Sequence, residues 1–206
     1  MFTEVFYIYL FYIKLVDSMT NEKLRKSLKK KVCEVIDANR NRIIKISDTI
    51  HDYAELGTEE FKTSKLCKEE LEKEGFKIRK PEATLKAFEE GLRTAFIAEM
   101  GGKGPGPCVG ILGELDALID VGHGCGHNMI MTSAVGAAIG LADVMKEING
   151  SLKIYGCPAE ERYLDNSGGK AIMIDEFKPC DVTIMMHPSV RDPDVEPPAA
   201  GVGPIE

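Results

Sequence analysis

Four short apolar runs of β type, separated by helical stretches, leave this chain few folds to choose from. The runs are RTAFIAE at Arg93–Glu99, CVGILG at Cys108–Gly113, LKIYG at Leu152–Gly156 and VTIMM at Val182–Met186. A helix built of small residues is expected at about Asn128–Met145, between the second run and the third. Gly169–Phe177 reads as helical between the third and the fourth. Strands alternating with helices imply an α/β fold, an α/β/α sandwich with a largely parallel central sheet. Upstream, Leu24, Leu28, Val32, Val35, Ile36, Ile43, Ile46 and Ile50 keep a helical period, as one helix or as two broken near Asn39–Asn41. A further helix, capped by Thr58, carries Phe61, Leu66, Cys67 and Leu71 and stops at Gly75. No internal repeat is present.

Composition narrows the function. A net charge of −7 over 206 residues offers no basic surface to follow phosphates, which excludes nucleic acid as a partner. The one basic cluster, KLRKSLKKK at Lys23–Lys31, falls on a helical pattern and reads as a solvated face. Six cysteines without a tight framework indicate a reduced, cytoplasmic chain. Cys33 and Cys67 are read as core fillers.

Residues 1–18 stand apart. The apolar run Val5–Ile13 is shorter than the roughly 20 residues needed to cross a bilayer. It also lacks a basic leader and a cleavage site, and Glu4 stands where positive charge belongs. Met19 opens MTNEKLRKSL, an ordinary soluble start, so the leader reads as a non-native extension. An interfacial membrane anchor is the alternative.

In sheets of this kind, chemistry gathers beyond the carboxyl ends of the strands. Three clusters sit there: GELDALIDVGHGCGHN, CPAEE and MMHP. In GHGCGHN, Cys125 and His127 are two residues apart among glycines that let the backbone turn tightly, and thiolate and imidazole are zinc's preferred donors. Glu160 and Glu161 diverge from one strand end, so one can hold a metal while the other faces an attacking water. That division suits metal-assisted hydrolysis. His187 ends an apolar run and is a candidate ligand. Asp116 could orient a ligating histidine by accepting its second N–H. His123 reads as a neighbour or substrate-side group, and His51 as structural. One thiol, two imidazoles and two carboxylates on three successive loops suggest two cations about 3.5–4 Å apart.

The order GELDAL, GHGCGHN, PAEE, MMHP resembles the zinc-dependent aminoacylase and carboxypeptidase-type amidohydrolases, in the branch of auxin-conjugate hydrolases, p-aminobenzoyl-glutamate hydrolases and related dipeptidases. The likeness runs from about Val35 to Glu206 and includes YAELGTEEF at Tyr53–Phe61 and GLRTAF at Gly91–Phe96. It implies that Cys125 is a ligand shared by two divalent ions, zinc ahead of manganese or cobalt. It further implies His127 and His187 as ligands of one ion, Glu161 as a ligand of the other, Glu160 as general base and Asp116 as the carboxylate beside the site. The implied substrate is an N-acyl amino acid or a dipeptide-like amide.

The chain departs from the family at Ile119, where proline is usual, and at Arg162–Asp165, where glycines are usual. Residues 19–200 would be the amino-terminal part of the catalytic domain, and 201–206 the start of a lid domain that is otherwise absent. On this reading the site is incomplete without a continuation or a complementing carboxy-terminal polypeptide, with a homodimer compatible with the full-length form. The alternative is a catalytically inactive metal-binding fragment or one subunit of a split enzyme.

Overall fold

A computed structural model describes residues 22–82, 93–161 and 168–188. The leader, the start at Met19, the departure at residues 162–165 and the stretch from 189 to 206 lie outside the described residues.

Two helices open the fold, α1 (Glu22–Ala38) and α2 (Arg40–Tyr53). They are the interrupted form of the amino-terminal pattern. At the break, the Asn39 side-chain amide donates to the Val35 carbonyl at 2.9 Å, a local bond that competes with helix continuation. Helix α3 spans Phe61–Lys73. Thr58 does not cap it: Thr58 adopts φ +74, and Glu60 occupies the cap position. The first-turn N–H groups of Lys62 and Thr63 donate instead to the Glu55 carboxylate, at 3.0 and 2.8 Å. A longer acidic side chain reaching in from upstream has replaced the usual short cap.

The sheet order is β1-β2-β4-β3-β5, with β1 at Lys77–Arg79, β2 at Phe96–Gly101, β3 at Cys108–Glu114, β4 at Ser151–Cys157 and β5 at Val182–Ile184. Strands β4, β3 and β5 are parallel, while β1 and β2 run antiparallel to their neighbours, so the sheet is mixed. The parallel expectation describes the half that bears the site. Strand β1, which has no apolar run of its own, was not expected. It is an edge strand whose Arg79 pairs with Glu99 and Glu176 at 3.0 and 2.9 Å.

Alternation along the strands divides two cores. Phe96, Ala98, Val109, Ile111, Leu152 and Ile154 face the layer of α1, α2, α3 and α4 (His127–Met145). Ile97, Leu112, Tyr155 and Cys157 face Met173 and Phe177, next to and on the short helices α5 (Gly169–Ile172) and α6 (Ile174–Phe177). Helix α4 is apolar and long enough to cross a membrane, but it is almost wholly buried between the sheet and the outer helices. Small residues let it pack closely on both sides. Cys67 is fully buried and Cys33 packs at the core's margin, as expected of fillers.

Candidate metal centre

All six expected site residues lie just past the carboxyl ends of β3, β4 and β5. Cys125 sits in the loop after β3, and His127 is the first residue of α4. Gly122 and Gly126 take φ +71 and +87, the left-handed turns that bring the Cys125–His127 segment round onto the helix start. Glu160 and Glu161 follow β4 through Pro158 and Ala159, and His187 lies three residues beyond β5.

The histidine tautomers follow from their partners. His127 Nδ1 is 2.8 Å from the Asp116 main-chain carbonyl, which can only accept, so Nδ1 carries the proton. In the neutral ring His127 Nε2 then presents a lone pair, and it faces Glu114 Oε2 at 3.0 Å, Glu161 Oε1 at 3.7 Å and Glu160 Oε2 at 3.8 Å. His127 Nε2 and Glu114 Oε2 are buried and have no hydrogen-bond partner. Acceptors facing an acceptor are stable only with a cation or a proton between them. His187 repeats the arrangement. Its Nδ1 donates to the Pro188 carbonyl at 2.7 Å, which leaves Nε2 facing Cys125 Sγ at 3.6 Å.

Two donor groups result, Cys125–His127–His187 and Glu114–His127–Glu160, each with ligand atoms within 4.8 Å of one another. The donor types and the orphaned lone pairs fit divalent cations. His127 is common to both groups, and Glu161 lies within reach of the same nitrogen.

Electrostatics follow from burial and neighbours. Burial drives the Cys125 thiol up to about 11, reinforced by Glu161, so a cation would be needed to hold the thiolate. Burial also pulls His127 down, but the hydrogen bond to Asp116 and the charge of Glu114 outweigh it and raise its pKa. Asp116 is held below its usual range: burial is outweighed by His127 and by the N–H groups of Glu161 and Glu160, which donate to its two oxygens at 2.8 and 3.0 Å. Asp116 thus orients His127 and also fixes the backbone that carries both glutamates. His123 is buried in the wall, outside both donor groups, with burial and His127 lowering its pKa to about 4. His51 is exposed on α2.

Three participants escaped the sequence reading. Glu114 shares the GELDAL motif with Asp116, and its spacing of two on a strand end was the available signal. Lys170, on α5, pairs with Glu114 and lies 3.8 Å from Glu160 Oε1. Glu60 is fully buried and accepts from Thr58 N, Ala159 N and Thr94 Oγ1 at 3.0, 2.8 and 2.6 Å. It clamps Ala159, which sits at φ +53 beside Glu160. A left-handed alanine persists only where its surroundings hold it.

Fold and donors together define a site fitted to divalent cations at the strand ends of a mixed α/β sheet. No protein-family model matches it. Mouse Xaa-Arg dipeptidase is 35% identical over 184 residues, covering 82% of this chain and 41% of that protein. A p-aminobenzoyl-glutamate hydrolase from Escherichia coli is 32% identical over 177 residues, covering 75% of this chain and 34% of its own length. Among solved structures, the Bacillus subtilis YXEP protein, a dinuclear metal-binding peptidase of the M20 family, superposes with a TM-score of 0.62 at 25% identity, over 74% of this chain and 44% of that one. Over the residues matched, the chain belongs to the M20 family of zinc-dependent amidohydrolases and peptidases. It spans about two fifths or less of the length of these curated relatives.

Proposed function

We propose that this chain supplies the metal-binding part of an amidohydrolase that cleaves the amide of an N-acyl amino acid or a dipeptide-like substrate. The observation that carries the reading is the buried, unpartnered Nε2 of His127, which faces three carboxylates, with His127 also grouped with Cys125 and His187. Relatives named Xaa-Arg dipeptidase, p-aminobenzoyl-glutamate hydrolase and N-acetyl-L-cysteine deacetylase support the substrate class.

Divalent cations held there, zinc on this thiolate and imidazole donor set, would supply Lewis acidity to the attacking water and the amide carbonyl. Cys125, His127, His187 and Glu161 would hold them. Glu160 takes a proton from the water and delivers it to the departing nitrogen, and Asp116 keeps His127 in its ligating tautomer. Cysteine usage supports a cytoplasmic location.

Metal counting tests the proposal. The zinc-loaded chain should hold two zinc ions. Cys125 lies in only one of the two donor groups, but a thiolate shared between the ions, as the resemblance implies, would make Cys125→Ala retain less zinc than His187→Ala. Equal zinc in wild type and Cys125→Ala would overturn the bridging role. No zinc retained by the wild type would overturn the centre.

A further inference from the structure

At the opposite end of β3 from the metal centre, two thiols face each other on the small-helix side of the sheet. Cys108 Sγ and Cys180 Sγ are 3.0 Å apart, and both cysteines are free. The six residue steps from Cys108 to Glu114 place this pair roughly 20 Å from the site along the strand. Neighbouring elements hold both sulfurs in place. The Asp181 carboxylate accepts from Cys108 N at 2.7 Å, and Asp181 N donates to the Cys108 carbonyl at 2.9 Å. The Tyr155 hydroxyl lies 3.3 Å from Cys180 Sγ while donating to the Glu176 carbonyl at 2.7 Å. Gly110 makes the space: a Cβ there would stand 2.8 Å from the Tyr155 ring and 3.3 Å from Cys180 Sγ.

We infer that Cys108 and Cys180 form a peroxide-sensitive dithiol, a covalent modification site that closes to a disulfide and staples β5 to β3. A disulfide bond is about 2.05 Å long, so closure asks the sulfurs to move only about 1 Å. Either sulfur can donate across this contact; shared between them, it lowers the Cys108 thiol to about 6 and, with burial, raises that of Cys180. Cys180 is the more exposed sulfur and Cys108 the more acidic one, and the first attack is assigned to Cys108.

Its thiolate attacks one oxygen of the peroxide, the O–O bond breaks, and hydroxide leaves to become water with the proton shed by Cys108. The sulfur becomes a sulfenic acid. The Cys180 sulfur then attacks it, the S–O bond breaks, and a second water leaves with the Cys180 proton. Two thiols lose two electrons and two protons, and one peroxide becomes two waters. In a reducing compartment such a bond is transient and reports oxidant. His187 lies only three residues beyond β5, so the staple would tether the outermost strand that carries it.

Peptide mapping of the intact chain tests this independently of any hydrolase activity. The folded, zinc-loaded protein is treated with hydrogen peroxide, alkylated in denaturant, and digested without reduction. A linked Cys108–Cys180 peptide, lighter by two hydrogens than its parts and released by reductant, should be the dominant cross-link. Unfolding before oxidation should abolish that selectivity. Recovery of both cysteines alkylated, paired elsewhere, or oxidised singly to sulfinic acid would overturn the inference. In Cys180→Ser, a dimedone-trapped sulfenic acid should accumulate at Cys108, and its absence there in folded protein would overturn Cys108 as the attacking sulfur.

Discussion

At the residue scale, the two adjacent glutamates have different surroundings. Glu160 Oε2 lies 3.8 Å from His127 Nε2, and its other oxygen lies 3.8 Å from Lys170. Glu161 faces the same nitrogen at 3.7 Å and also contacts the Cys125 thiol. In a complete, active form of the enzyme, Glu160→Gln should keep its zinc and lose about 10²–10⁴-fold in turnover, the worth of a general base. Glu161→Gln should instead lose zinc, and excess zinc should partly restore its activity. Zinc loss from Glu160→Gln, or near-normal turnover when it is metal-loaded, would reverse the two roles. The fixed backbone beneath both residues, held by Asp116 from one side and by Glu60 through Ala159 from the other, is what lets neighbours in sequence act differently.

At the element scale, α2 and α3 are clamped by charge. Arg42 donates to Glu70 and Glu74, each at 2.7 Å, and Lys73 adds a second bond to Glu70. Burial raises the Glu70 carboxyl, but the hydrogen bonds from Lys73 and Arg42 outweigh it and hold the group below its ordinary 4.5. A carboxylate whose folded pKa is depressed stabilises the fold above its unfolded pKa, and that contribution is lost as pH falls through the folded value. Wild type should therefore melt above Glu70→Gln at neutral pH. The gap should narrow once the pH passes below about 4.5 towards the depressed folded value. Thermal melts of the two proteins across that window check this, and a constant gap would remove Glu70 from the acid response.

For the whole molecule, the metal centre joins three strand ends and the start of the central helix, so its occupancy and the stability of the fold are linked. A cation that binds only the folded chain at a free concentration 100-fold above its dissociation constant adds about 2.7 kcal/mol per site. For a chain of this size that raises the melting temperature by roughly 5–10 °C. Melting with zinc and with chelator should show this rise, and an unchanged midpoint in protein shown to retain zinc would mean the site stays bound in the unfolded chain. The electrostatic logic is global too: carboxylates from β3 and from the loop after β4 converge on one imidazole, and Lys170 offsets only part of their mutual repulsion.

What the sequence by itself determined was the part governed by local periodicity and backbone freedom. It includes the four apolar runs that became the heart of β2 to β5, the small-residue helix expected at about Asn128–Met145, the amino-terminal helical period with its candidate break near Asn39–Asn41, and a glycine-rich turn presenting Cys125 and His127. Each is written in adjacent residues. Only the tertiary structure decided what depends on side chains meeting from far apart. Glu55 caps α3 although Thr58 had the better local credentials, because a reaching carboxylate satisfied the first-turn N–H groups. Strand β1 forms because Arg79 finds Glu99 and Glu176 and the edge of β2 offers it a ladder. Glu114 enters the site, and Lys170 beside it, because β3 and α5 converge there, 56 residues apart in sequence. Periodicity selects which face of an element is buried. Long-range polar pairs select which polar atoms meet there, and no stretch of neighbouring residues encodes that choice.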